Sequence, residues 1–150
     1  MDDLRSLYEE VILDHNRAPR HFGKPAVFNR QAEGYNPICG DEFTVYLQIE
    51  QGVISKIGFT GSGCAISTAS ASLMTESLLG KTEQQAKQLF NGVHGLLTDA
   101  AYPAAGNLLL GKMRVLEGVK EYPMRVKCAT LAWHTMHAAL QQQADTISTE

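Results

Sequence analysis

The stretch Glu42–Thr60, EFTVYLQIEQGVISKIGFT, decides the fold. Phe43, Val45, Leu47 and Ile49 alternate with Thr44, Tyr46, Gln48 and Glu50, which sets one apolar row on one face of a strand. Gln51-Gly52 is a turn signal, and Val53 to Thr60 resumes the extended pattern through Ile54, Ile57 and Phe59. The 42–60 span is therefore expected to be a β-hairpin. With Gln51 and Gly52 as its loop, Glu50 faces Val53. Continuing that register outward sets Cys39 opposite Cys64, about 4.5–5.5 Å apart at Cβ, and Asp41 across from Ser62. A bulge shifts this pairing by one residue without separating the cysteines.

Helices flank the hairpin. Leu4, Leu7, Tyr8, Val11 and Ile12 follow helical spacing, with Asp2 or Asp3 as cap, and Asn16 to Pro25 reads as loop. Val27 and Phe28 are candidates for a further edge strand. After Cys64 the apolar positions Ile66, Ala69, Leu73, Met74 and Leu78 share one helix face, and Gly80 stops it. Thr82 and Gln85 form a capping-box pattern that opens a short helix through Ala86, Leu89 and Phe90. Gly92–Gly111 reads as loop, with single helical turns at 108–110 and 113–116. The last helix is expected from near Lys127, burying Ala129, Ala132, Trp133, Met136 and Leu140, and the tail after Gln143 is expected to fray. The class is α+β: a small antiparallel sheet of about three strands packed against several helices, in one domain over 1–150.

Composition narrows the function. In 150 residues, 44% are hydrophobic and 19% charged, with a net charge of −3, which excludes disorder on composition and leaves no basic excess for nucleic acid. No apolar run approaches a membrane span, and the acidic start Met1-Asp2-Asp3-Leu4 is unlike a secretory or transit peptide, so a cytoplasmic location is expected.

Three cysteines, Cys39, Cys64 and Cys128, cannot all pair within one chain, so a reducing compartment and a ligand or nucleophile role are favoured. Cys39-Gly40-Asp41 and Gly61-Ser62-Gly63-Cys64 surround two thiols with glycines that permit close approach. Cys64 precedes one predicted helix and Cys128 falls in the predicted first turn of another, where helix dipoles stabilise thiolates. Three thiolates and the Asp41 carboxylate make a tetrahedral set that suits zinc, and Arg125 and Lys127 offset its surplus negative charge. The same residues also fit the incomplete thiolate shell of an exposed iron–sulfur cluster. A hard carboxylate among soft thiolates suggests an exchangeable ligand. Asp41 has a plainer reading as a turn cap or a partner of Arg125. His134 and His137 lie one turn apart but point away from Cys128, and they, with His15, His21 and His94, read as packed or surface histidines.

Three motifs in order, C-G-D at Cys39–Asp41, S-G-C-A-I-S at Ser62–Ser67 and R-V-K-C at Arg125–Cys128, resemble the U-type iron–sulfur assembly scaffold family (IscU-like, NifU N-terminal-like). The likeness spans nearly the whole chain and implies the U-type scaffold fold. The scaffold branch has a histidine directly before its third cysteine, where this chain has Lys127. It also has a leucine-proline-proline-valine-lysine segment gripped by a dedicated chaperone, where this chain reads Tyr122-Pro123-Met124-Arg125-Val126-Lys127, which argues against that partnership. The interval from Cys64 to Cys128 is longer than in that branch, with Gly92–Gly111 as the insertion. These departures resemble the SUF-type (SufU) branch.

That resemblance implies zinc held by Cys39, Asp41, Cys64 and Cys128. It implies persulfide sulfur from a pyridoxal-phosphate cysteine desulfurase (SufS-like), whose histidine takes a zinc position and frees Cys39. It implies delivery to downstream SUF-type assembly proteins, and at most a zinc-dependent sulfurtransferase activity. Cys39 is the expected acceptor and Cys128 the alternative, with Arg125 and Lys127 stabilising charge. A second reading is a scaffold that builds a [2Fe–2S] cluster on Cys39, Cys64 and Cys128, with iron in place of zinc. A distant third is a cysteine hydrolase using Cys128 with a histidine and Asp41.

Overall fold

In the computed structural model, which describes residues 3–98, 119, 122–141 and 147–148, the elements run α1 (Asp3–Arg17), β1 (Arg30–Asn36), β2 (Asp41–Glu50), β3 (Val53–Ser62), α2 (Ala65–Leu78), α3 (Glu83–Thr98), α4 (Pro123–Leu140) and β4 (Ile147–Ser148). Three antiparallel strands and a two-residue fourth lie in the order β3-β2-β1-β4, with β4 parallel to β1. The architecture is the expected α+β class. Among the described residues no helix is long and apolar enough to cross a membrane.

The hairpin forms where the alternation put it, with Glu50 opposite Val53 and Ile49 opposite Ile54. Between Gln48 and Ile49 the register slips: Gln48 faces Lys56, and Ser55 is the extra residue, its Oγ donating to the Gln48 carbonyl at 3.2 Å. Consequently Glu42, not Asp41, faces Ser62. Phe43, Val45, Leu47 and Ile49 fill the core-facing row of β2, and the same alternation turns Asp41 inward at its end.

The edge strand expected at Val27 and Phe28 lies further on, at β1. Val27 is exposed, while Phe28 packs edge-on against Tyr46 with ring centroids 5.0 Å apart. Asn29 starts the pairing: its backbone N–H reaches the Leu47 carbonyl, and its side chain bonds both backbone groups of Ile49. Residues of β1 carry no β-branched signal, so its place is fixed by packing. Ala32, Gly34 and Asn36 face inward, and a Cβ on Gly34 would collide with Thr135 of α4.

Helix α2 is Ser- and Ala-rich and buried on most of its surface, which its small side chains permit. It packs between α1 and α4, while α4 crosses β1 and β2. The Thr82–Gln85 capping box is present, with Thr82 N–H on Gln85 Oε1 at 2.9 Å and Gln85 N–H on Thr82 Oγ1 at 3.1 Å. Helix α3 continues past the expected loop start at Gly92 to Thr98, because Val93, Leu96 and Leu97 extend its buried stripe. Similarly, α1 runs to Arg17 inside the span read as loop. Helix α4 begins at Pro123 rather than near Lys127, since proline at the first helical position forfeits no hydrogen bond. The tail expected to fray contributes β4. The turns expected at 108–110 and 113–116, and most of the 92–111 segment, lie outside the described residues.

Candidate metal centre

Four chain segments meet at one end of the sheet. Strands β1 and β2 are joined by a tight turn over 37–40, in which Gly40 takes φ +73° and donates its N–H to the Asn36 carbonyl at 2.9 Å. Cys39 sits on this turn, exposed. Asp41 opens β2 directly opposite Asn36, and both are fully buried. The β3–α2 link passes against Asp41 at Gly63, where a Cβ would stand 2.9 Å from Asp41 Oδ1. Cys64 then caps the amino terminus of α2.

Ligand atoms of Cys39, Asp41 and Cys128 all lie within 4.8 Å of one another. The Cys128 thiol donates to Cys39 Sγ at 3.2 Å. Two sulfurs on a tetrahedral zinc with bonds of about 2.3 Å would be about 3.8 Å apart, so the pair needs only a small opening to receive the ion. The donor set of soft thiols and one carboxylate fits zinc, and its thiols equally fit an iron–sulfur cluster. The expected four-residue convergence is met by three. Cys64 stays outside that cluster, its Sγ accepting the Ser67 N–H at 3.4 Å as an N-cap.

Asp41 is held on both oxygens. Oδ1 accepts the backbone N–H of Cys64 at 2.9 Å, and Oδ2 accepts Ser67 Oγ at 2.7 Å and Asn36 Nδ2 at 3.3 Å. The plainer reading of Asp41 as a partner of Arg125 is not met among the described residues: Arg125 lies over the Tyr122 ring instead, 5.4 Å from its centroid. Neither Arg125, exposed, nor Lys127, half-buried, bonds a thiol among the described residues.

The environment of Cys128 differs from the expected helix first turn. With α4 starting at Pro123, Cys128 lies in its second turn and only 2% exposed. Burial, then the hydrogen bond with Cys39 and the nearby Cys64 and Asp41, push its thiol far above the ordinary range. The metal-free Cys128 is therefore protonated at neutral pH, and a bound metal must displace that proton.

The histidines lie elsewhere. His134 and His137 pack with Phe90 and His94 between α3 and α4, where burial lowers the pKa of both. His15 is buried against Ser72, and His21 bonds Thr75. Two residues to which the motifs assigned no role, Asn36 and Ser67 (the last residue of the S-G-C-A-I-S motif), supply the side-chain bonds to Asp41. Their signal was available: Ser67 stands at the third helical position after the Cys64 cap, and Asn36 closes the turn that carries Cys39.

These features make a candidate cysteine–aspartate metal site at the end of an α+β sheet, and the fold and site together point to an iron–sulfur assembly protein. The NifU-like N terminal domain matches residues 7–129, and the chain belongs to that family, the IscU/SufU kind of scaffold protein. It is 34% identical to the iron-sulfur cluster assembly scaffold protein IscU of Streptococcus pyogenes serotype M1, covering 97% of this chain and 89% of the relative. It is 32% identical to the zinc-dependent sulfurtransferase SufU of Bacillus subtilis, covering 94% of each. A crystal structure of an iron-sulfur cluster assembly scaffold protein for the SUF system from Fervidobacterium islandicum AW-1 superposes with a TM-score of 0.83 at 35% identity, over 91% of this chain and 98% of that one.

Proposed function

We propose that this protein works in iron–sulfur cluster assembly as a sulfur acceptor, taking persulfide sulfur from a cysteine desulfurase at Cys39 and passing it to downstream SUF-type proteins. The observation that carries the reading is the unequal pair of thiols: Cys39, exposed on a turn, lies 3.2 Å from Cys128, which is buried. A buried thiol is out of reach of a partner's persulfide, so the exposed Cys39 is the better acceptor. Cys39, Asp41, Cys64 and Cys128 would hold zinc, with Cys64 giving up its N-cap bond to join. Bound zinc keeps thiols deprotonated at neutral pH and shielded from oxidation.

The step itself is a thiol–persulfide exchange. The Cys39 thiolate attacks the outer sulfur of the desulfurase persulfide, a new S–S bond forms on Cys39, and the desulfurase cysteine leaves as thiolate. No net oxidation occurs. Exposed apolar side chains sit on the two elements that carry Cys39 and Cys128: Tyr35 and Ile38 around the turn, Tyr122 and Met124 at the start of α4. They suit a protein partner that must bring its own cysteine to Cys39. Lys127 in the place of the scaffold-branch histidine, and the likeness to a relative named for zinc-dependent sulfur transfer, point the same way.

The second reading, a scaffold that builds a [2Fe–2S] cluster on Cys39, Cys64 and Cys128, is favoured by the comparable likeness to a relative named IscU. The hydrolase reading finds no support, since no histidine bonds Cys128 among the described residues. Metal analysis of protein purified anaerobically without chelator separates the first two. About one zinc per chain, with desulfurase turnover stimulated by the loaded protein and not by a zinc-stripped one, is expected. Near-equal iron and acid-labile sulfide would transfer the proposal to the scaffold reading.

A further inference from the structure

The amide of Asn36 hydrogen-bonds both buried members of the site, Asp41 and Cys128. Its Nδ2 donates to Asp41 Oδ2 at 3.3 Å and to Cys128 Sγ at 3.6 Å, one hydrogen for each. Turning the amide over would set its oxygen against a carboxylate, so the bonding network fixes its orientation. Asn36 is fully buried, yet its own Oδ1 has no hydrogen-bond partner among the described residues. A buried amide left half-satisfied is unfavourable for folding alone, and an apolar side chain of the same shape would serve the core better. Ser67, also fully buried, donates to the same Oδ2 at 2.7 Å. With two donors, Oδ2 has no lone pair left. Among the described residues Oδ1 accepts the Cys64 N–H, which leaves it a lone pair toward the Cys128 side of the site.

We propose that Asn36 and Ser67 are positioning residues of the metal centre: together they saturate Asp41 Oδ2 so that Asp41 ligates through Oδ1 alone, and Asn36 anchors Cys128 as the ligand that stays. An N–H bond to a metal-bound thiolate lowers the negative charge on its sulfur and weakens it as a nucleophile. Cys39 receives no such bond from Asn36, so the pair of thiols is divided into an anchored ligand and an exchangeable one. The inference rests on the metal-centre reading, though not on the fate of the sulfur.

The test uses the full chain loaded with Co²⁺, a spectroscopic stand-in for zinc, and needs no desulfurase. Affinity is measured by competition with a chromophoric chelator, and the sulfur-to-cobalt charge-transfer band reports the thiolates. Asn36→Leu is expected to bind cobalt about 10–100-fold more weakly than the unaltered chain, with that band moved to longer wavelength, while its metal-free melting temperature is unchanged or raised. Ser67→Ala is expected to lose affinity in the same range, and Ser67→Thr, which keeps the hydroxyl, to recover it. Asn36→Leu with unaltered affinity and spectrum would overturn the assignment. So would a loss matched by a fall in metal-free melting temperature, which marks a structural role only. If Asn36→Leu does not fold, the Ser67 pair decides: equal affinities for Ala and Thr overturn the proposal. An unaltered chain that binds no cobalt would instead overturn the metal-centre reading beneath it.

Discussion

Asp41 and Cys128 are 0% and 2% exposed, whereas Cys39 and Cys64 lie open to solvent, so the candidate centre has a buried half and an exposed half. The buried half is part of the core: Asp41 ends the inward row of β2, Cys128 is buried on α4, Asn36 bonds both, and Ser67 bonds Asp41. The exposed half hangs on a turn and a helix cap. The difference teaches how a small protein can hold a reactive site with little rearrangement: rigidity sits at the buried ligands, and access sits at the thiol to which the proposed function brings sulfur.

Substitutions and pH titrations probe this division, beginning with the strongest. Asp41→Ala leaves the Cys64 N–H, Ser67 and Asn36 without their acceptor. Metal affinity is expected to fall by about 100-fold or more, and metal-free stability by about 2 kcal/mol in urea unfolding. Cys39→Ser is expected to end sulfur acceptance while leaving metal-free stability within about 0.5 kcal/mol, because the side chain is exposed. Equal stability losses from the two changes would break the comparison.

Titration comes next. The native Cys128 keeps its proton where an unfolded cysteine, near pH 8.5, has lost it. The folded state then binds more protons, so metal-free stability falls as pH rises above about 8.5, by up to about 1.4 kcal/mol per pH unit. The same proton must leave on metal binding, so affinity rises with pH, up to about tenfold per unit for this thiol. Cys128→Ala should flatten the alkaline fall in stability; an unchanged slope would remove Cys128 from the account. The smallest effect is expected at the rim: Arg125→Ala or Lys127→Ala should change metal affinity by less than about threefold, since among the described residues neither side chain bonds the centre.

What could be read from sequence was local or motif-bound. The alternation across Phe43–Ile49, the Gln51-Gly52 turn and the Thr82–Gln85 box each encode their structure in a few neighbouring residues, and each formed. The register expected of the same hairpin set Cys39 opposite Cys64 and Asp41 across from Ser62; the bulge at Ser55 moves Glu42 opposite Ser62 instead, and Cys64 stays outside the cluster of Cys39, Asp41 and Cys128. Strand β1 was misplaced because Arg30–Asn36 owes its pairing to Asn29 and to the fit of Gly34 beneath Thr135, both tertiary. The start of α4 was set too late, near Lys127 instead of Pro123, so Cys128 falls in the second turn, where burial raises its pKa against the lowering expected of a first turn. Asn36 stayed hidden because a single asparagine near a turn ordinarily signals the turn itself.

The most direct measurement is to locate the sulfur. Zinc-loaded protein would be incubated anaerobically with a SufS-type cysteine desulfurase, pyridoxal phosphate and cysteine, alkylated, and mapped by peptide mass spectrometry. The account predicts a peptide one sulfur heavier at Cys39, with Cys128 unmodified and still protected by the metal. A persulfide on Cys128 with Cys39 untouched would contradict it.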